Sequence, residues 1–397
     1  MTLVGTPLIV VLALAAVLTP VATVLLWSRL GGPELLRNAE RIGMLLLGQV
    51  ATVLLAAVLA NDYGQFYASW GDLVGTAGGP AAVRDFGAGA APASRSGSRP
   101  TVLEHASTAT WRGLPTGTSG HVRVLGPTDW STPAQRSTRG TVESVVVDGY
   151  VSGLSVPGYI YLPPQYFQAR WAHRRFPAVE ALSGYPGSAP ALMKRFDYPQ
   201  LALDSVRRHL SVPMIYVMLS STVDPPRDTE CTDVPHGPQA QTFLAQEVPS
   251  AVQAALRVRP DDWGIVGDST GGYCAAKIAM THYGVFRAGV SLSGYYYARA
   301  DVTTGSLWGG SKALRHLNDP EWMLAHRAAP PASLFVTTSK QETRPDGYPD
   351  TMRFLHEVRP PMHVTALVEP TGGHNFGTWH RELPTALHWL SARLARQ

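Results

Sequence analysis

Cysteine, lysine and charge are what this 397-residue sequence has least of: two cysteines, a charged fraction of 16%, and only Lys194, Lys277, Lys312 and Lys340 among its 33 Lys and Arg. Soluble domains carry about 25% charged residues, so the shortage points to a portion buried in lipid. The formal net charge is only +4, and no Lys/Arg-rich run or zinc-finger spacing occurs. That excludes a strongly basic nucleic-acid binder. H-E-x-x-H, C-x-x-C and EF-hand spacings are missing, as is a G-x-G-x-x-G after a first strand. No metal site and no cofactor is expected. Internal repeats are absent as well.

The charges that exist avoid two stretches. Residues 1–28 carry none, and 42–61 is a second uncharged run of 20, each long enough to cross a hydrocarbon core of about 30 Å as a helix. A cleaved signal peptide is the competing reading of the first, but no Lys or Arg precedes the apolar run and a second span follows at once. Arg29, Arg37 and Arg41 lie between the two stretches, whereas no Lys or Arg falls between Asn61 and Arg84. The positive-inside bias puts that short loop in the cytoplasm and both termini outside. Pro20 and Gln49 are tolerable within spans, Gln49 by facing the partner helix. Tyr63, Phe66, Tyr67 and Trp70 follow as headgroup-level anchors.

Between 76 and 100, 18 of 25 residues are Ala, Gly, Pro or Ser, a composition that buries too little apolar surface to order itself. The segment 101–139 reads as an irregular strap. The expected organisation is a transmembrane hairpin at 1–62 (spans about 5–28 and 42–61), a juxtamembrane segment and flexible linker at 63–139, and a catalytic domain at 140–397.

After Gly140, β-rich runs alternate with helical ones. Strands are expected at 141–147, 156–162, 176–182, 212–219, 263–267, 286–292, 333–338 and 363–368, and helices at 239–257, 271–282, 351–358 and 383–394. This alternation predicts an α/β fold with a doubly wound, mostly parallel sheet.

At one strand-to-helix junction stands Gly267-Asp268-Ser269-Thr270-Gly271-Gly272, a G-x-S-x-G nucleophile elbow in its required context. Small residues at 267 and 271 let the chain turn tightly and lift the Ser269 hydroxyl clear of the sheet. The helix that starts there aims N–H groups at a developing oxyanion. A serine nucleophile needs a base, and the base an orienting carboxylate, in the order Ser, acid, His for such a sheet. Gly372-Gly373-His374 follows the last strand and supplies the histidine. The acid should follow the 333–338 strand; Glu342 is favoured, with Asp346 beside Gly347 as runner-up. The glycine-containing turn 182–187, with Tyr185, offers backbone N–H groups that together with Thr270 would form an oxyanion hole.

With these residues in place, the chain from about Gly140 onward resembles the Putative esterase family of α/β-hydrolases, which includes esterase D (S-formylglutathione hydrolase) and the mycobacterial mycolyltransferases. The matching features are Val-Pro-Gly-Tyr-Ile-Tyr-Leu-Pro-Pro at 156–164, Gly184-Tyr185, the elbow, Ser293-Gly294, and Gly372-Gly373-His374-Asn375-Phe376 with Trp379. The resemblance implies an α/β-hydrolase fold, a triad of Ser269, Glu342 and His374, and an oxyanion hole from the Tyr185 and Thr270 amides. Ser339-Lys340-Gln341-Glu342 departs from the pattern by lacking the usual glycine after the strand. The anchored layout is similar to that of actinobacterial membrane proteins of the family, which also carry a cysteine at both places where Cys231 and Cys274 stand. An even count in an oxidising compartment favours a disulfide between them, with buried apolar packing of Cys274 as the alternative.

The expected function is a membrane-anchored, extracytoplasmic serine esterase that cleaves acyl esters of small molecules or lipids. An acyltransferase using a sugar or lipid hydroxyl, and an inert membrane-tethered binding module, are the alternatives. Trp308 and Trp322 are candidate walls of an acyl pocket.

Overall fold

A computed structural model of the chain describes residues 2–87 and 120–395; most of the expected linker and the start of the strap, 88–119, lie outside the described residues. Two compact units emerge. One comprises Met1–Ala81, Ser339–Arg344 and Glu369–Thr378, the other Ala82–Thr338, Pro345–Val368 and Trp379–Gln397.

In the first unit, helices Thr6–Leu26 and Glu34–Gly64 pack together, and with mean hydropathies of 2.7 and 2.3 each is long and apolar enough to cross a membrane. Their connection is closed by Arg41, which donates to the Trp27 carbonyl at 2.8 Å and stacks over its indole. Gln49, expected on the helix–helix face, is exposed. Its neighbour Gly48 packs against Thr19 instead, and a Cβ there would lie 3.2 Å from the threonine hydroxyl.

The second unit is built on a ten-stranded sheet. Its strands are β1 (Ala82–Gly87), β2 (Gly120–Pro127), β3 (Thr141–Gly149), β4 (Ser155–Leu162), β5 (Phe176–Ser183), β6 (Ile215–Ser220), β7 (Val258–Asp268), β8 (Phe286–Leu292), β9 (Ser333–Ser339) and β10 (His363–Glu369). Their order is β1-β10-β9-β8-β7-β5-β6-β4-β3-β2. Pairing is parallel from β6 through β5, β7 and β8 to β9, and antiparallel from β2 through β3 and β4 to β6. All eight residues of β5 are buried, as a parallel strand covered by helices on both faces requires. This is the α/β-hydrolase type of sheet.

The edge strands β1 and β2 depart from the expected linker and strap. β1 is almost wholly exposed, so no apolar pattern announces it. It is ordered by an antiparallel ladder to β10 and by Asp85, which accepts from Thr365 at 2.6 Å. β2 adds to β3, with Arg123 on Asp148 at 2.7 Å. The helical run predicted from 239 to 257 contains a π-helical turn, Phe243–Glu247. Buried Glu247 accepts the Val151 and Ser152 N–H groups and so caps the β3–β4 turn.

A covalent bond holds the loop after β6. Cys231 and Cys274 form a disulfide that ties this loop to helix Thr270–Thr281. One turn along the same helix, Lys277 is fully buried and donates to the carbonyls of Glu230 and Cys231 and to Asn318 Oδ1, each at 2.8 Å. Glu230 and Cys231 both have left-handed backbones, φ 48° and 46°, a conformation that persists only where surroundings hold it.

Two stability predictions follow from this core. Replacing both Cys231 and Cys274 by Ser opens a loop with a sequence separation of 43 and should lower the unfolding free energy by about 4 kcal/mol, measured by chemical denaturation of detergent-solubilised protein. Glu180, in the middle of β5, is fully buried with neither carboxyl oxygen hydrogen-bonded among the described residues, and burial raises its pKa well above the ordinary value. The folded state therefore keeps a proton that the unfolded state loses above about pH 4.3, and stability falls as pH rises through that window. Glu180→Met should raise Tm at pH 8 by roughly 3 °C or more, with a gain that shrinks toward pH 4.

Candidate active site

Ser269 follows β7 directly and caps helix Thr270–Thr281 with φ 53° and ψ −120°, a conformation costing about 1–3 kcal/mol for a residue with a side chain. Two close approaches impose it. A Cβ on Gly267 would sit 2.2 Å from the Gly271 carbonyl oxygen, and one on Gly271 would sit 2.4 Å from that of Leu182. No side chain fits at either position, which is the physical content of the G-x-S-x-G spacing. The Ser269 N–H donates to Leu292 at 2.9 Å and its carbonyl accepts from Tyr273 at 3.0 Å, so the strained turn is hydrogen-bonded on both sides.

The turn after β5 lies against this elbow. Gly184 N–H donates to Asp268 Oδ2 at 3.1 Å, and a Cβ on Gly184 would come within 2.9 Å of that of Ser269. Tyr185 follows, its hydroxyl donating to the Pro226 carbonyl at 3.2 Å. Thr270 is the first helical residue, so no helical carbonyl can take its N–H. Asp268 was not singled out by the sequence; it occupies the variable position of the motif, and only the folded turn reveals its bond to Gly184.

Behind Thr270, the Tyr295 hydroxyl lies 3.4 Å from Thr270 Oγ1 and donates to the buried Glu230 carboxyl. Burial pushes Glu230 up to about 8 and Lys277 down to about 7. A cavity of about 600 Å³ opens beside the turn, lined by Tyr159, Tyr185, Pro186, Gly187, Val223 and Pro226 among others. Neither Trp308 nor Trp322 lines it. Trp322 is instead stacked between His316 and His326, at 4.1 and 4.4 Å.

His374 and Glu342 belong to the other unit. His374 lies five residues beyond β10 and Glu342 three beyond β9, and the structure sets His374 Nδ1 3.6 Å from Glu342 Oε2. Glu342 is only 3% exposed, while the His374 side chain keeps 26% of its surface open. Asp346 is engaged elsewhere, with Arg299 at 3.3 Å. The two loops are stitched together: Lys340 N–H donates to the Glu369 carbonyl at 3.0 Å, and Gly372 N–H to Gln341 Oε1 at 3.1 Å. The His374 N–H donates to the Gln65 carbonyl at 3.0 Å. Gln65 went unnoticed in the sequence because the residues after the second apolar run carry only a membrane-exit signal. No group of His, Cys, Asp and Glu suited to a metal ion exists among the described residues.

Comparison with known proteins bears on fold and family. An S-formylglutathione hydrolase from Agrobacterium tumefaciens superposes with a TM-score of 0.57 at 15% identity, over 68% of this chain and 99% of its own. A fluorophosphonate-binding serine hydrolase of Staphylococcus aureus superposes with a TM-score of 0.51 at 18% identity, over 63% and 98%. At such identities the likeness is one of fold. An uncharacterized protein of Corynebacterium glutamicum is 22% identical over 247 aligned residues, the match covering 59% of this chain and 57% of the relative, so it spans little more than half of that protein. The family model described as Putative esterase matches residues 153–390. With more than half of its length inside that match, the chain belongs to the Putative esterase family of α/β-hydrolases.

Proposed function

We propose that the protein is a membrane-anchored serine esterase whose catalytic residues face away from the cytoplasm. The observation that carries this reading is the backbone of Ser269, held at φ 53° between two glycines that no other residue can replace. Strain of this kind has a use when a hydroxyl must stand clear of the sheet. In the proposed cycle Ser269 Oγ attacks the acyl carbonyl while His374 Nε2 takes its proton. Glu342 orients the imidazole through Nδ1, and the amides of Tyr185 and Thr270 receive the oxyanion. The alkoxide leaving group collects the proton from His374. Water activated by the same imidazole then releases the acid from the acyl-enzyme. The cavity beside Tyr185 is suited to the acyl group. Arg29, Arg37 and Arg41 between the two apolar helices support a cytoplasmic loop and an exported remainder.

Ser269→Ala should abolish fluorophosphonate labelling and lower kcat/KM on short-chain esters by about 10⁴-fold or more, with His374→Ala close behind because nucleophile and base act as one unit. Glu342→Gln should cost about 10²–10⁴-fold, whereas Asp346→Asn, which loses a bond to Arg299, should stay within about threefold. Wild-type protein that folds but neither labels nor hydrolyses any ester would sink the reading. Orientation has its own check: a C-terminal alkaline phosphatase fusion should be active in intact cells, and an inactive one would reverse the assignment.

A further inference from the structure

The second apolar helix does not end at a loose linker. Gln65 closes helix Glu34–Gly64 in a left-handed conformation, φ 48° and ψ 35°. Asn61 then fixes the turn by donating to the Tyr67 carbonyl at 2.9 Å and accepting the Tyr67 N–H at 2.8 Å. A short helix, Trp70–Leu73, follows with Ser69 as its cap and brings in Asp72, only 6% exposed.

Both loops that carry the acid and the base are bonded to this turn. Gln65 accepts the His374 N–H on its carbonyl and the Arg344 N–H on Oε1 at 3.1 Å, and donates from Nε2 to Thr343 Oγ1 at 3.1 Å. Arg344 lays its guanidinium on the last helical carbonyls, Tyr63 at 3.1 Å and Gly64 at 3.3 Å, where a cation is favoured by the helix dipole. Asn375, next to His374, donates to the Phe66 carbonyl at 2.6 Å and to Asp72 Oδ2 at 3.1 Å. Gly373 completes the fit, since a Cβ there would lie 2.4 Å from the Phe66 carbonyl oxygen.

We propose that Gln65 and Asp72 are positioning residues of the catalytic site, and that the juxtamembrane turn is the platform on which the Glu342 and His374 loops are held in register. This rests on reading Glu342 and His374 as acid and base. Gln65 reaches both loops at once with backbone and side chain, and Asp72 reaches the histidine loop through Asn375. A displacement of either loop of about 1 Å is enough to cost a large factor in turnover.

The test uses the full chain in detergent or nanodiscs. Active sites are counted by fluorophosphonate labelling, so that misfolded protein drops out of the rate. Gln65→Ala and Asp72→Ala should each lower kcat per labelled site about tenfold or more, with KM within about twofold. Gln65→Glu keeps the acceptor for Arg344 and should recover to within about threefold of wild type. Hydrogen exchange should show faster exchange in 339–344 and 369–378 for Gln65→Ala, with the rest of the sheet unchanged. Turnover per site within twofold of wild type in both alanine variants overturns the proposal, whatever the exchange shows. If the wild type turns over no ester, the reading of the site has failed. Exchange then decides alone, and unchanged protection of the two loops in Gln65→Ala overturns the platform.

Discussion

The contact of Gly271 with the Leu182 carbonyl sets how near helix Thr270–Thr281 lies to β5, and much of the second unit is arranged around that closeness. It forces the turn at Ser269. It also brings the end of β5 so close to the elbow that Gly184 can bond to Asp268. With the helix pinned there, its next turns become a fixed surface, on which Cys274 and Lys277 hold the loop after β6. A methyl group at 267 or 271 would push the helix off the sheet and loosen the elbow, the Gly184 turn and the Cys231 loop together. The geometry of the candidate site and the core packing thus share one tolerance.

The loop after β6 illustrates what the tolerance supports. Lys277 is buried among neutral oxygens, and none of its hydrogen-bond acceptors is a carboxylate. Glu230 is equally buried, with its carboxyl on Tyr295. Burying two ionisable groups is costly unless every donor and acceptor is met. Here Lys277 donates to the backbone carbonyls of the left-handed stretch, while the Glu230 carboxyl accepts from the Tyr295 hydroxyl. The disulfide keeps those carbonyls within reach of Lys277, and Tyr295 joins the cluster to Thr270.

The parts of this architecture that could be read from the sequence are those whose order is local. Buried strands such as β6 announce themselves by continuous apolar runs, and the elbow by glycines whose spacing follows from a single turn. β1 could not be read, because Ala82–Gly87 has no buried face and owes its order to a strand about 280 residues away. Sequence order leaves Glu342 and Asp346 equivalent for the same reason: both follow one strand, and the partner that engages Asp346 is Arg299, on a distant loop. Trp308 and Trp322 do not line the cavity beside Tyr185; its walls come instead from the start of β4, the turn after β5 and the loop after β6, which meet only in the folded sheet.

The bond between Gln65 and His374 has a consequence for where chemistry can take place. A domain on a slack tether samples a wide shell of water above its membrane, at whatever height the tether allows. A histidine loop hydrogen-bonded to the last turn of a helix has its altitude set by helical rise, and from Asn61 to Gln65 that rise is about 6 Å. With Glu34–Gly64 across a bilayer, the imidazole loop is held at the depth of the exposed Tyr63, Phe66 and Trp70 rings, within a headgroup layer only some 5–7 Å thick on each side. On the reading proposed above, esters lying in the plane of the membrane would meet that loop more often than those dissolved above it.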